Sequence, residues 1–204
     1  MSKKKKQICW LCLLGFSIVV STIWFLAGCQ DSKFKEIESI PILENDTNSL
    51  THFDISRHFA YQKSMNWVST KVPTDIKVFL LDQKYSIVDY FFFKQFNNWF
   101  KKLQFENGIL PIDQKENLDC DNFAMLYKSL ISISAYKSSS ENEPGVALLV
   151  VNQVNPFGGI PNGGLHMLCL VFTSNGWFVI EPQTGKYISL ENYPNQEHIL
   201  YMII

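Results

Sequence analysis

Two stretches of the chain carry apolar residues at the spacing of an α-helix. Residues 87–105, IVDYFFFKQFNNWFKKLQF, predict a strongly amphipathic helix. The expected apolar stripe consists of Val88, Phe91, Phe92, Phe96, Trp99, Phe100 and Leu103. An aromatic face for a membrane surface is the alternative, but a stripe with this spacing serves a protein core equally well.

A second helix is expected after a break at Gly108 and Pro111, from near Asp119 to about Tyr136. Its predicted core face consists of Phe123, Ala124, Leu126, Tyr127, Leu130, Ile131 and Ile133 or Ser134. The polar stretch KSSSENEPG, residues 137–145, is typical of a loop and ends the helical pattern.

The apolar pattern becomes extended after this loop. Apolar and β-branched residues dominate the segments that follow, and Ser174-Asn175-Gly176 predicts a hairpin turn between two of them. The expected strands are residues 146–154, 165–173, 177–183, 186–193 and 199–204. Helices followed by a run of antiparallel strands indicate the α+β class.

The N-terminus has the composition of a targeting segment. MSKKKKQ precedes an apolar run from Ile8 to Gly28, as in a secretory signal or an anchor helix. Leu26-Ala27-Gly28-Cys29 resembles the lipobox of bacterial lipoproteins, which implies cleavage before Cys29 and lipidation of that cysteine. An uncleaved transmembrane anchor is the alternative. Both predict a body held at the bacterial cell membrane and facing outside the cytoplasm.

Composition divides the chain into three parts. After the signal, residues 1–28, comes the polar segment 29–55, which we interpret as a tether or a loosely packed lead-in. Residues 56–204 are long enough for one domain with a single core. Lys and Arg number 18 against 19 acidic residues, and four of the lysines lie in the signal. The mildly acidic body therefore has no basic face that would indicate a nucleic-acid partner.

Two of the five cysteines, Cys120 and Cys169, remain once the signal and Cys29 are set aside. In an exported protein such a pair is often a disulfide. Strand alternation argues against that here, because Cys169 follows His166 by three residues and turns to the opposite face of the strand. The other interpretation is a reactive thiol at Cys120 and a buried thiol at Cys169.

Three residues with chemistry for acyl transfer occur in a suggestive order. Cys120 opens the second predicted helix, His166 lies early in one strand of the predicted hairpin, and Glu181 ends the next strand. Antiparallel pairing brings the last two nearly opposite each other. A helix N-terminus and a nearby imidazole both favour a thiolate, and a carboxylate would orient the imidazole. The alternatives are a capping or surface histidine and a strand-end charge.

The motifs DCDNFA, a histidine beginning a strand after a glycine-rich loop, and WFVIEPQTG resemble the transglutaminase-like and papain-like cysteine peptidase families. The resemblance extends from about Leu81 to Pro194, and EPQTG is similar to the cysteine-protease-like C-terminal domain of fungal agglutinins. It implies a cysteine-bearing helix packed on an antiparallel sheet. It also implies Cys120 as nucleophile, His166 as base and Glu181 as orienting acid.

The same resemblance implies an oxyanion donor and a calcium site. Papain-like enzymes use a glutamine shortly before the cysteine as an oxyanion donor, and Gln114 is the matching residue. Some agglutinin-type relatives need calcium near the cleft, and Asp121 and Gln183 are the residues that match. Asp119 is explained as an ordinary helix N-cap. No other cofactor is expected.

Two functions fit these expectations. One is a thiol hydrolase or acyltransferase that acts on amide bonds of a peptide or a peptidoglycan-type substrate. The other is an inactive module that binds an envelope peptide or glycan. One departure from the families it resembles favours this function: they often have an asparagine two residues after the histidine, and this chain has none there. The glycine-rich stretch 155–164, NPFGGIPNGG, has no strand-to-helix context for a phosphate cradle and is expected to form a flexible lip over the cleft.

Overall fold

The computed structural model describes residues 40–43, 49–51, 76–109 and 119–204. The chain divides into two compact units, Met1–Ile40 and Pro41–Ile204, and the elements below belong to the second. The signal segment, the lipidation candidate Cys29 and the oxyanion candidate Gln114 lie outside the described residues. Within the described ranges, no helix has the length and hydropathy needed to cross a membrane.

The described residues form helices and strands in the order β1–β3, α1, α2, β4–β9. The helices are α1 (Tyr90–Glu106) and α2 (Cys120–Lys137). The strands are β1 (Ser49–Thr51), β2 (Lys77–Phe79), β3 (Lys84–Ser86), β4 (Glu143–Pro144), β5 (Val146–Gln153), β6 (Gly164–Thr173), β7 (Gly176–Glu181), β8 (Lys186–Ser189) and β9 (Ile199–Ile203). Two 3-10 turns, Leu190–Asn192 and Gln196–His198, occupy the chain between β8 and β9.

The main sheet has six strands in the order β2-β9-β5-β6-β7-β8, and a smaller sheet has the order β1-β3-β4. The α+β class is therefore confirmed. The expectation of a wholly antiparallel sheet is wrong, because β2 pairs in parallel with β9 and β3 with β4. Both parallel pairs join a strand that precedes the helices to a strand that follows them. The sequence pattern showed only the later strands.

Helix α1 packs through aromatic residues. Phe93, Phe96 and Phe100 have no exposed surface. The rings of Phe96 and Phe100 meet the Tyr127 ring of α2 edge-on, with centroids 5.1 and 5.0 Å apart, a favoured aromatic geometry. The stripe therefore serves the core. Phe91, which was predicted to belong to it, is 69% exposed, because the buried positions follow the spacing of Phe93, Phe96 and Phe100.

Helix α2 buries most of its predicted face. Phe123, Ala124, Tyr127, Leu130 and Ile131 are buried, and Ser134 rather than Ile133 completes the face. Leu126 and Ile133 are each 37% exposed. These two residues are seven positions apart, about two helical turns, and both lie along the edge of the buried face. The predicted core face therefore extended too far around the helix on that side.

Part of the predicted tether belongs to the folded body. Strand β1 pairs antiparallel with β3, and its Leu50 lies opposite Tyr85. Upstream, the backbone N–H of Leu43 donates to Oγ of Ser134 at 2.9 Å, and that hydroxyl donates to the Pro41 carbonyl. The polar composition of residues 29–55 gave no signal of this strand pairing or of these hydrogen bonds. The packed lead-in is thus the better description of residues 41–43 and 49–51.

Candidate active site

The β6–β7 hairpin brings together the histidine and the acid. Thr173 lies opposite Gly176 and Cys169 opposite Ile180. Continuing this register places His166 diagonal to Glu181, within reach of a long side chain. Nε2 of His166 lies 2.5 Å from Oε2 of Glu181. The contact predicted from the hairpin is confirmed.

The carboxylate of Glu181 is fully buried and held at both oxygens. Oε2 meets His166, and Oε1 accepts the backbone N–H of Gln183 at 3.0 Å. The backbone carbonyl of Glu181 closes the turn by accepting the N–H of Gly185 at 2.8 Å. A buried carboxylate is costly unless it is paired and hydrogen-bonded. Here both conditions are met by residues within the motif EPQTG and by the histidine.

Helix α1 fixes the turn that carries Glu181. The side-chain amide of Asn97 donates to the Gly185 carbonyl at 2.8 Å, and that of Gln104 donates to the Pro182 carbonyl at 2.8 Å. Both amides are buried. They lie seven residues apart on one face of α1, so the helix anchors the turn at two points. The sequence analysis missed them, although two amides at helical spacing within an apolar stripe were a visible signal.

Cys120 is the first residue of α2, and its side chain is half-buried. Oδ1 of Asn122 accepts the backbone N–H of Asp119 at 3.3 Å, which closes the helix N-terminus. The Cys120 side chain lies close enough to the imidazole of His166 to raise its pKa. Because Nε2 of that ring is occupied by Glu181, Nδ1 is the nitrogen left for the thiol.

Cys169 does not bridge to Cys120; both thiols are free. The Cys169 side chain is fully buried, and its Sγ donates to the Ala124 carbonyl at 3.4 Å. Burial raises the pKa of this thiol far above its ordinary value. The interpretation of Cys169 as a buried thiol is confirmed, and the disulfide alternative is wrong.

The imidazole of His166 is held in an environment that favours its charged form. Burial lowers its pKa, but the interactions with the Cys120 side chain and with the Glu181 carboxylate, which accepts the ring N–H, outweigh this and raise the pKa to about 9. His166 is 8% exposed, so solvent screens these interactions little. A protonated imidazole between a carboxylate and a thiol stabilises the thiolate.

A cleft of about 380 Å³ opens beside the thiol and the imidazole. It lies between the start of α2, the end of β5 and the start of β6. Its lining consists of Asp119, Cys120, Gln153, residues 160–164, Leu165 and His166. Glu181 is outside this lining, behind His166. The cleft therefore presents a nucleophile and a base, with the orienting acid sealed away from it.

Gln153 is a cleft residue that the sequence analysis missed. Its side chain is 2% exposed, and its Nε2 donates to the carbonyls of Ile160 and Pro161 at 3.2 and 2.9 Å. Both amide hydrogens are therefore used to hold the glycine-rich loop, which excludes Gln153 from oxyanion binding in this arrangement. A glutamine ending the otherwise apolar strand VALLVVNQ was the available signal.

The residues matched to a calcium site, Asp121 and Gln183, both lie within the described parts of the chain. A hydrogen bond to the Asp121 carboxyl, together with burial, raises the pKa of Asp119. Oε1 of Gln183 is buried with no hydrogen-bond partner among the described residues, so it is a free acceptor. Neither Asp121 nor Gln183 lines the cleft. No group of three or more metal-binding side chains occurs in the described ranges, whereas calcium takes six to eight oxygens.

Comparison with known proteins gives a structural likeness but no family. No protein-family model and no curated protein matches the chain. A solved structure, the "PSL1a-E64 complex", is similar, with a TM-score of 0.52 and 15% sequence identity. The match covers 76% of this chain and 50% of that one, so this chain corresponds to about half of its neighbour. At this identity the likeness concerns the fold.

Proposed function

We propose that the protein is a membrane-tethered thiol hydrolase or acyltransferase with a papain-like or transglutaminase-like fold. Its substrates are amide bonds in a peptide or a peptidoglycan-type chain of the cell envelope. The observation that carries the proposal is the series Cys120, His166 and Glu181: the thiol and the imidazole open onto one cleft, and the imidazole is hydrogen-bonded to the buried carboxylate.

Each member of the series has a role that follows from its surroundings. The Cys120 thiolate attacks the substrate carbonyl carbon, and a C–S bond forms. As the tetrahedral intermediate collapses, the C–N bond breaks and protonated His166 gives its proton to the leaving amine. Water or a second amine then attacks the thioester, His166 takes the proton of that nucleophile, and the thiolate is released. Glu181 keeps the ring oriented throughout.

The start of α2 also supplies oxyanion donors. The first turn of a helix leaves its backbone N–H groups without intrahelical partners, and Cys120 is its first residue. The N–H of Cys120 is therefore placed to donate to the oxygen that becomes negative when its own sulfur attacks. Gln114 is proposed as the second donor, as the family resemblance implies.

Lipidation at Cys29 is proposed to hold the domain at the membrane surface, outside the cytoplasm. The substrate class follows from that location, because peptides and peptidoglycan stems are the amide-containing polymers that an envelope enzyme meets. Calcium near Asp121 and Gln183 stays a prediction of the family resemblance. No step of the proposed reaction depends on it.

Alkylation of the full-length protein by iodoacetamide at pH 6, mapped cysteine by cysteine with mass spectrometry, tests the proposal. An activated Cys120 is expected to react on the order of tenfold or more faster in the folded protein than after unfolding in urea. The variant His166→Gln is expected to lose this advantage. Prior incubation with E64, the compound named in the similar complex, is expected to protect Cys120. Equal rates in folded and unfolded protein would contradict an activated thiol.

A second candidate function, a binding module without catalysis, is favoured by one observation. Both amide hydrogens of Gln153 are committed to the loop, so the buried glutamine of the cleft does not serve as an oxyanion donor. Incubating the protein with cross-linked peptidoglycan stem peptides separates the two functions. Products that disappear in Cys120→Ser indicate the enzyme, whereas retained binding without product in either form indicates the module.

A further inference from the structure

The glycine-rich loop contains a tight turn that comes to lie over the candidate acid. Phe157 and Ile160 exchange two backbone hydrogen bonds, of 3.1 and 2.9 Å. The two residues between them, Gly158 and Gly159, have φ angles of +65° and +91°. Such a turn needs residues that adopt positive φ, which explains a pair of glycines.

The turn touches Glu181 through only one of its two glycines. A Cβ atom added to Gly158 would lie 2.7 Å from Cβ and 2.9 Å from Cγ of Glu181, too close for any side chain. A Cβ atom added to Gly159 would meet only Cγ2 of Thr184, at 3.9 Å. Gly158 therefore lets the backbone press against the stem of Glu181, which has no exposed surface.

Several contacts hold the turn in this position. Oγ1 of Thr184 donates to the Gly158 carbonyl at 2.6 Å, and the Phe157 ring meets the Tyr193 ring edge-on at 5.1 Å. Gln153 holds the carbonyl of Ile160.

A further pair of contacts fixes the start of the loop. The backbone N–H of Asn155 donates to Oδ1 of Asn195 at 2.7 Å, and Nδ2 of Asn195 donates to the Asn155 carbonyl at 2.9 Å. The expected flexible lip is thus tied down along its length. Its turn covers the acid, while residues 160–164 line the cleft.

We propose that Gly158 is a positioning residue, which seats the backbone of the turn on Glu181 and so keeps the carboxylate directed at His166. The effect on Cys120 reactivity rests on the proposed function. The effect on the Glu181–His166 hydrogen bond does not. The turn also keeps water from Glu181, which preserves the strength of that bond.

The variants Gly158→Ala and Gly159→Ala form a matched pair, since both place a side chain at positive φ but only the first collides with Glu181. The readout is the proton resonance of the His166 ring N–H bonded to Glu181, followed by NMR in protein with ¹⁵N-labelled histidine and assigned by its absence in His166→Gln. Gly158→Ala is expected to shift this resonance upfield or abolish it, and to slow Cys120 alkylation on the order of tenfold or more. Gly159→Ala is expected to retain both.

Thr184→Val serves if Gly158→Ala does not fold, since it removes the hydrogen bond to the Gly158 carbonyl without adding bulk to the turn. It is expected to move the same resonance in the same direction by a smaller amount. A folded Gly158→Ala or Thr184→Val with the wild-type resonance would overturn the proposal. A wild-type Cys120 that reacts no faster folded than unfolded would overturn the proposed function alone, because the NMR comparison still decides the role of Gly158.

Discussion

Glu181 and His166 meet at 2.5 Å, but only His166 reaches the cleft. Glu181 is sealed behind it, and its second oxygen is taken by the backbone of Gln183. The acid therefore acts on any substrate only through the imidazole. This arrangement separates the charge that orients the base from the water and substrate that the cleft admits.

Glu181→Gln is expected to slow alkylation of Cys120 at pH 6 by on the order of 10²-fold, since the neutral amide no longer supports a charged imidazole beside the thiol. Glu191→Gln is the matched control, because Glu191 is an exposed acid of the same type ten residues further along the chain. It is expected to react like the wild type. Similar rates for the two variants would show that the buried carboxylate does not tune the thiol.

The two cysteines of the folded body are expected to differ sharply in reactivity. Cys120 opens onto the cleft, whereas Cys169 is fully buried and its pKa is raised by that burial. Site-resolved alkylation of the folded protein at pH 8 should modify Cys120 and leave Cys169 unmodified. After unfolding in urea, both should react. Modification of Cys169 in the folded protein, at a rate near that of Cys120, would contradict the packing of β6 against α2.

The stability of the fold is expected to fall as the pH rises through the titration of His166. Its pKa is about 9 in the folded protein and near 6.5 in an unfolded chain. The folded state therefore binds more protons between these values, so stability decreases with pH in that window. The contribution is complete below about pH 6.5 and lost above about pH 9. It is on the order of 3 kcal/mol at most.

Urea unfolding at pH 6 and pH 10 measures this contribution. His166→Gln is the reference, because all other ionisable groups are the same in both proteins. The wild type should lose more unfolding free energy than the variant between the two pH values. Equal losses would mean that the imidazole is not held in its charged form by Cys120 and Glu181.

The sequence predicted the elements that carry the site, because their patterns are local. The start of α2 follows from Asp119 and a helical apolar stripe, and the hairpin follows from a turn between two apolar strands. Once both were assigned, the diagonal contact of His166 with Glu181 required only counting from the turn. The meeting of Cys120 with His166 was inferred from a family resemblance, since no local rule fixes how a helix start lies over a sheet.

What the sequence did not predict depends on contacts between distant segments. Strand β2 is three residues long and pairs with the C-terminal β9, so nothing near it in the chain marks its partner. The role of Gln153 depends on a loop that folds back onto its own strand. The contact of Gly158 with Glu181 likewise joins two segments that are distant in the sequence. The glycine pair alone had indicated only a flexible loop.

Two buried tyrosines of the folded body differ in the hydrogen bonding of their hydroxyl groups. The hydroxyl of Tyr85 accepts the N–H of Asp82 at 2.7 Å and donates to the Ile204 carbonyl at 3.1 Å. The hydroxyl of Tyr127 has no hydrogen-bond partner within the described ranges, and burial raises its pKa well above the usual value. Both side chains have no exposed surface.

Tyr127→Phe is therefore expected to leave the free energy of unfolding unchanged or to raise it by about 1 kcal/mol, because it removes a buried polar group and keeps the ring packed on Phe96 and Phe100. Tyr85→Phe, the matched change, is expected to cost about 1 kcal/mol, since it removes the acceptor of the Asp82 N–H and one of the two donors to the Ile204 carbonyl, which keeps the N–H of Leu81. Urea titrations of both variants at pH 7 give the comparison. An equal loss of unfolding free energy in the two variants would contradict this expectation. It would mean that the Tyr127 hydroxyl has a hydrogen-bond partner and that the interior between α1 and α2 is polar at this point.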